Sequence, residues 1–77
     1  GQLDHHWDEA RGLAGNIIGL HQARAEFFAL VGDYDQALSQ LDLAKRRASS
    51  NFPLASRIDA RQQELMEEKR AIDKMLR

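Results

Sequence analysis

The sequence of 77 residues contains no cysteine, so it excludes disulfide bridges and thiolate metal sites. It has a single proline and few β-branched residues, a composition that favours helices over strands. No apolar run approaches the ~20 residues that span a bilayer. The formal charges nearly cancel, at 11 − 12 = −1, so the basic excess typical of a nucleic-acid binder is missing. A small all-helical domain remains, and neither nucleic acid nor membrane insertion is expected.

The segment "FFALVGDYDQAL", residues 27–38, has a helical pattern on both sides of an interruption. Gly32 suits the position just past a helix end, where a left-handed backbone costs glycine nothing. Asp33 is a good N-cap, and Gln36 follows three residues later as in a capping box. This segment therefore predicts a tight turn between two helices.

The same pattern of glycine followed by a capping residue occurs at Gly15-Asn16, 17 residues earlier (32 − 15). Ser49, inside "SSNFP", lies another 17 residues on (49 − 32). Turns at this spacing define a helix-turn-helix unit of about 34 residues, the tetratricopeptide period. We expect an all-α, tetratricopeptide-like antiparallel array of about four helices, of which the last is a long capping helix. The predicted helices are 3–14, 17–31, 34–48 and 53–76.

Residues 18–49 resemble one degenerate tetratricopeptide repeat, in which small side chains let paired helices approach and large ones fill the gaps. The residues that match the pattern are Ala25, Phe28, Ala37 and Ala44. His21 and Arg24 depart from it, since they stand where the pattern has an aromatic residue and a leucine. One repeat cannot bury its faces alone, so we expect residues 1–77 to be a single domain at the C-terminal end of a longer protein. A generic four-helix bundle is the alternative.

The longer stretch "HQARAEFFALVGDYDQALSQLDLAKRRASSNFPLASRIDARQQEL" is similar to the C-terminal tetratricopeptide segment of periplasmic zinc metalloproteases of the beta-barrel assembly-enhancing type. That resemblance covers about residues 13–68. It implies a periplasmic location and protein partners, namely the outer-membrane protein assembly machinery, substrate proteins or the protease domain. The His-Glu-x-x-His motif of the family is absent from this chain, so any zinc belongs to the protease domain of the parent.

The first helix of each tetratricopeptide pair lines the concave face that holds peptides. Helix 17–31 has that role here, and its side chains free of packing include Gln22, Ala23 and Glu26. A repeat that clasps a peptide carboxylate needs donors at such positions, so Glu26 disfavours an acidic peptide tail. We predict these three residues to contact a protein partner, against the alternative that they only solvate the helix.

The last predicted helix is longer than its neighbours, at roughly 36 Å for residues 53–76 against about 20 Å. Its first half is expected to pack on the repeat. From Leu65 onward it has no intramolecular partner of matching length, and Leu65, Ile72 and Met75 are predicted to dock on a partner or form a homodimer. Fraying is the alternative.

The segment "DHHWDE" places His5 and Glu9 four residues apart, but no third ligand converges with them. No metal site, cofactor site or catalytic residue is expected, and the chain alone is not expected to be an enzyme. The predicted function is a protein-interaction module of a periplasmic metalloprotease with chaperone-like duties. The alternatives are a tetratricopeptide adaptor of another bacterial protein and a small helical dimerisation domain.

Overall fold

A computed structural model describes the backbone of residues 2–76, and the side chains of residue 13 and of residues 15–76. Within residues 2–76 the chain forms three helices and no strand. They are α1 (Gln2–Leu30), α2 (Tyr34–Arg47) and α3 (Phe52–Met75). The prediction of an all-α helix-turn-helix array is confirmed, although the described residues contain three helices where about four were expected.

The two predicted helices 3–14 and 17–31 are one continuous helix, so the turn predicted at Gly15-Asn16 is wrong. Among the described residues Gly32 alone has a positive φ, and Gly15 keeps a helical backbone. The physical reason is the small cost of glycine inside a helix, about 1 kcal/mol relative to alanine. No proline interrupts α1, so that cost alone does not end the helix, and Ile18 in the next turn packs against the core.

The turn predicted at Gly32 is confirmed. Gly32 has a φ of 83°, and α1 ends in a pair of overlapping hydrogen bonds. The Gly32 N–H donates to the Ala29 carbonyl at 3.1 Å, and the Asp33 N–H donates to the Phe28 carbonyl at 2.8 Å. This is the Schellman arrangement, which satisfies carbonyls that would otherwise lack partners. Asp33 then caps α2, since its Oδ1 accepts from the Gln36 N–H at 3.2 Å.

The connection from α2 to α3 also agrees with the prediction made from the sequence. The Asn51 side chain accepts from the Leu54 N–H at 3.2 Å and caps α3. Pro53 lies in the first turn of α3, where its missing N–H removes no helical hydrogen bond. The predicted bounds of the last two helices, 34–48 and 53–76, agree with the structure to within one residue at each end.

The core lies around α2, which packs against α1 on one side and against α3 on the other. The contribution of α2 is a stripe of small residues with one leucine: Ala37, Leu41, Ala44 and Ala48. From α1 come Ile18 and Ala25, and from α3 come Ile58 and Leu65. Small residues on the central helix let both neighbours approach closely. The apolar stripe predicted for α2 is therefore the centre of the fold.

The molecule is elongated, with extents of 61 × 22 × 12 Å. α1 has 29 residues and α3 has 24, whereas α2 has 14. At about 1.5 Å per residue, α2 covers only about half the length of α1. The beginning of α1 and the end of α3 therefore extend past the central helix.

Candidate protein-interaction site

α1 and the first residue after it carry a row of exposed apolar side chains, which we call the outer face of α1: Leu13, Leu20, Phe27 and, just past the helix end, Val31. Steps of seven and four residues place them on one side of the helix. They are far from buried: Leu13, Phe27 and Val31 are 61–62% exposed and Leu20 is 48% exposed. The buried residues of α1, Ile18 and Ala25, point away from this face toward α2. α1 therefore has an apolar surface on two sides, and only one of them is covered.

Phe27 is held by the residue that follows it. The rings of Phe27 and Phe28 lie edge to face, with centroids 5.6 Å apart and planes at 64°. Phe28 is partly buried against the core, so this contact restricts the exposed ring next to it. Beside the row, the exposed residues Gly19 and Ala23 have little or no side chain, so nothing large projects from the helix there. A Cβ added at Gly19 would meet nothing within 4 Å.

The outer surface of α3 has the opposite character. Its exposed residues are mostly charged or amide-bearing, among them Arg57, Gln63, Glu64, Glu67, Arg70 and Lys74. Its apolar residues Ile58 and Leu65 are buried against α2. One end of the three-helix array is therefore polar, and the other end, formed by α1, is apolar.

Of the predicted groove residues, only Glu26 is bonded to α3. Gln22 is half-buried, Ala23 is exposed, and Glu26 takes part in an ion pair between helices. Its carboxylate accepts two hydrogen bonds from the Arg61 guanidinium, at 2.8 and 3.0 Å. Arg61 also donates to Glu64 at 2.9 Å. These bonds connect α1 to α3, so Glu26 has a structural partner within the chain.

The same ion pair changes the titration of both partners. The hydrogen bonds from Arg61 lower the pKa of the Glu26 carboxyl below its ordinary value of 4.5. The bonds to Glu26, with a smaller part from Glu64, raise the pKa of the Arg61 guanidinium. Both shifts favour the charged forms, so the pair stays ionised at neutral pH.

The residues predicted on the last helix separate into two groups. Leu65 is fully buried in the core and offers no surface to a partner. Ile72 is 38% exposed and Met75 is 82% exposed. Between Leu65 and Ile72 the helix is still attached to α2, since Lys69 Nζ lies 2.7 Å from the Asp35 carboxylate. The predicted lack of an intramolecular partner therefore applies only beyond this pair.

A shallow hollow of about 250 Å³ lies where the end of α3 passes the α1–α2 turn. It is lined by Gly32, Tyr34, Lys69, Ile72 and Leu76, with three aspartates. Asp33 and Asp35 already accept hydrogen bonds within the chain. Partial burial, followed by the nearby charge of Glu68, raises the pKa of Tyr34. The hollow is open and its polar groups are largely engaged.

Further polar contacts fasten the helices to one another. Lys45 of α2 donates to Gln62 at 2.7 Å and to Asp59 at 3.1 Å, both on α3. His21 Nδ1 and Gln40 Oε1 are 2.7 Å apart and join α1 to α2.

Sequence reasoning missed the outer face of α1 because it divided the helix at Gly15-Asn16. With a turn there, Leu13 and Leu20 belong to different helices and their spacing has no meaning. In one continuous helix, the seven-residue steps from Leu13 to Leu20 to Phe27 form an evident row. That spacing was the signal that could have revealed the face.

Among the described side chains, no three His, Cys, Asp or Glu residues come close enough to hold a metal ion. His5 and Glu9 lie outside the residues whose side chains the structure describes. Within the described residues, no helix combines the length and the apolar character needed to cross a bilayer. Comparison of the chain with protein-family models, curated proteins and solved structures gives no match.

Proposed function

We propose that the chain is a protein-interaction module of the tetratricopeptide kind, whose outer face of α1 docks on a partner protein. The observation that carries this proposal is the exposure of Leu13, Leu20, Phe27 and Val31 in one row. Together they leave on the order of 500 Å² of apolar surface in water, as much as the largest patch on a typical monomer. The largest apolar patch on a monomer is often functional.

The free energy available from burying this surface is comparable to the cost of association. Burying about 500 Å² of apolar area is worth roughly 12 kcal/mol at about 25 cal/mol per Å². Association costs about 4–15 kcal/mol in lost motion, so the net affinity of such a contact is modest. A module that works through this face therefore suits a reversible contact, or one strengthened by attachment to a larger assembly.

The parent that we propose is a periplasmic zinc metalloprotease with a role in outer-membrane protein assembly or quality control. Support comes from the similarity of residues 13–68 to the C-terminal segment of those enzymes and from the three-helix array. In this role the module orients the protease relative to its partners, and Gln22, Ala23 and Glu26 belong to the neighbouring concave surface. A parent reading frame that encodes no His-Glu-x-x-His motif would remove this assignment and leave a tetratricopeptide adaptor of another bacterial protein.

The docking face can be tested by site-specific photo-crosslinking in the native host. A photoreactive phenylalanine analogue replaces Phe27 in one strain, and Leu43 of α2 in a matched control strain. Both positions are partly exposed, at 61% and 41%, but Leu43 lies on another helix. We expect a defined protein adduct from position 27 and none from position 43. Equal labelling from both positions, or none from position 27, would contradict the proposal.

A further inference from the structure

We propose that the ion pair between Glu26 and Arg61 is a latch that sets the angle at which α3 lies beside α1. While the pair is formed, α3 is held toward α1. When the pair is released, α3 swings away from α1 around α2. The latch is independent of docking on the outer face of α1, because Glu26 and Arg61 are not part of that face.

The two outer helices have little direct contact with one another. In the part of the chain that the structure describes, α1 and α3 each pack on α2, and the apolar core is built around that central helix. The angle between α1 and α3 is therefore not fixed by an apolar interface of their own. Helices that share an interface can slide over one another by about 1–2 Å. A bond that joins α1 directly to α3 then decides between neighbouring arrangements.

Glu26 and Arg61 form such a bond through two contacts. The Arg61 guanidinium donates from Nη2 to one Glu26 carboxylate oxygen at 2.8 Å and from Nε to the other at 3.0 Å. Two parallel contacts fix the orientation of the groups as well as their distance. Arg61 is also held from its own helix, because it donates to Glu64 at 2.9 Å. The pair therefore couples the position of α3 to that of α1.

α3 is tied on two opposite flanks. Asp59 and Arg61 are two residues apart, so they point to opposite sides of the helix, about 200° from one another. On one flank, Lys45 of α2 donates to Asp59 at 3.1 Å. On the other flank, Arg61 is bound to Glu26 of α1. Loss of the second bond removes a pull toward α1 and leaves the tie to α2 in place, so α3 moves away from α1.

The latch is open to solvent, so its strength depends on the surrounding ions. The side chains of Arg61 and Glu26 are 32% and 50% exposed. An exposed ion pair favours its closed form by only about two- to fivefold. Salt at about 1 M reduces the screening length to about 3 Å. Both arrangements of α3 are therefore populated, and ionic strength shifts the balance between them.

Distances between nitroxide labels on the helices test the latch, and a chain without cysteine takes labels only where cysteine is introduced. One doubly labelled protein carries Ala23→Cys on α1 and Gln63→Cys on α3, at exposed positions. The reference protein carries Ala23→Cys with Ser39→Cys on α2, which is also exposed. Pulsed electron–electron double resonance gives the distribution of distances for each pair of labels.

We expect Arg61→Gln to lengthen the α1–α3 distance by about 1–2 Å, with the longer component growing about two- to fivefold. Glu26→Gln leaves Arg61 bonded to Glu64 and should have the same effect. The double variant should add nothing further, since either change removes the same bond. Salt at about 1 M should lengthen the distance in the protein with the latch intact, and much less in the variants. The α1–α2 distance should stay constant throughout.

Asp59→Asn is the matched control, because it removes the charged tie on the opposite flank and leaves the latch intact. It should not lengthen the α1–α3 distance. Equal lengthening by Asp59→Asn and Arg61→Gln would overturn the latch, as would an unchanged distance in both Arg61→Gln and Glu26→Gln. A parallel change in the α1–α2 distance would also overturn it, since the whole array would then be loosened. The salt measurement needs no substitution in the latch, so it tests the proposal even if a variant folds poorly.

Discussion

Replacing Gly15 with alanine tests whether α1 is one helix or two. In the structure Gly15 has a helical backbone, and a Cβ added there would meet nothing within 4 Å. Alanine is better than glycine inside a helix by about 0.5–1 kcal/mol, because glycine loses more backbone freedom on folding. The substitution therefore should stabilise the protein. If Gly15 instead occupied a left-handed turn, alanine would cost about 1–2 kcal/mol.

The expected change is large enough to measure. In a chain of this size, 1 kcal/mol moves Tm by about 4–8 °C, so Gly15→Ala should raise Tm by roughly 2–8 °C. Thermal unfolding followed by circular dichroism at the helical band gives both Tm and helix content, and both should rise. Gly32→Ala is the matched contrast, because Gly32 has a φ of 83°, and it should lower Tm by roughly 4–16 °C. A Gly15→Ala protein that melted at lower temperature would refute the continuous helix.

Three further substitutions test the packing, the ion pair and the cap. Leu65→Ala should cost about 2–5 kcal/mol in urea unfolding because Leu65 is fully buried, whereas the control Met75→Ala should stay within about 0.5 kcal/mol; equal effects would contradict the burial. Arg61→Gln should cost about 1 kcal/mol, a small value because Glu26 is half exposed. Since the pKa of Glu26 is lowered on folding, this contribution is present above pH 4.5 and disappears as the pH falls through the folded pKa, so a cost unchanged in acid would refute the pairing. Asn51→Ala should cost about 1 kcal/mol through loss of the α3 cap, and an unchanged urea midpoint would argue against that cap.

Local chemistry explains which parts of the fold could be predicted from the sequence. The turn at Gly32 was predictable because a glycine, a capping aspartate and Gln36 all favour the same break. The start of α3 was predictable for the same reason, from Asn51 and Pro53. In both places several neighbouring residues favour the same backbone conformation, and no distant contact is needed to determine it.

Gly15-Asn16 resembles the Gly32 turn in sequence but differs from it in outcome. Glycine costs only about 1 kcal/mol inside a helix, so a helix and a turn are close in free energy at such a site. The choice depends on the helical neighbours on both sides, which short patterns describe poorly. The 17-residue spacing made the turn attractive, and that spacing does not correspond to a structural period in residues 2–31.

The candidate site likewise contains features that local sequence predicts and features that depend on contacts between distant residues. The apolar row of α1 was available from its seven-residue spacing once the helix was taken as continuous. The pairing of Glu26 with Arg61 was not, because the two residues are 35 apart in sequence and meet only after α1 and α3 have both packed on α2. The burial of Leu65 likewise depends on how far α3 follows α2. Long-range contacts of this kind have no local pattern.

The packing of α2 bears on where the partner that we propose would attach. Because its contacting residues are small, α2 is covered by α1 and α3 on its two sides, and its own stripe is buried. The far sides of α1 and of α3 are then the surfaces at the two ends of the array. The far side of α3 is charged, and covering it would desolvate several ionised groups that now lie in water. The far side of α1 exposes leucine, phenylalanine and valine with Arg24 among them, so covering it removes apolar surface from water at the cost of one charge. This comparison supports the proposed docking on α1, and substitutions at Leu20 and Phe27 should impair that docking while leaving the helices themselves intact.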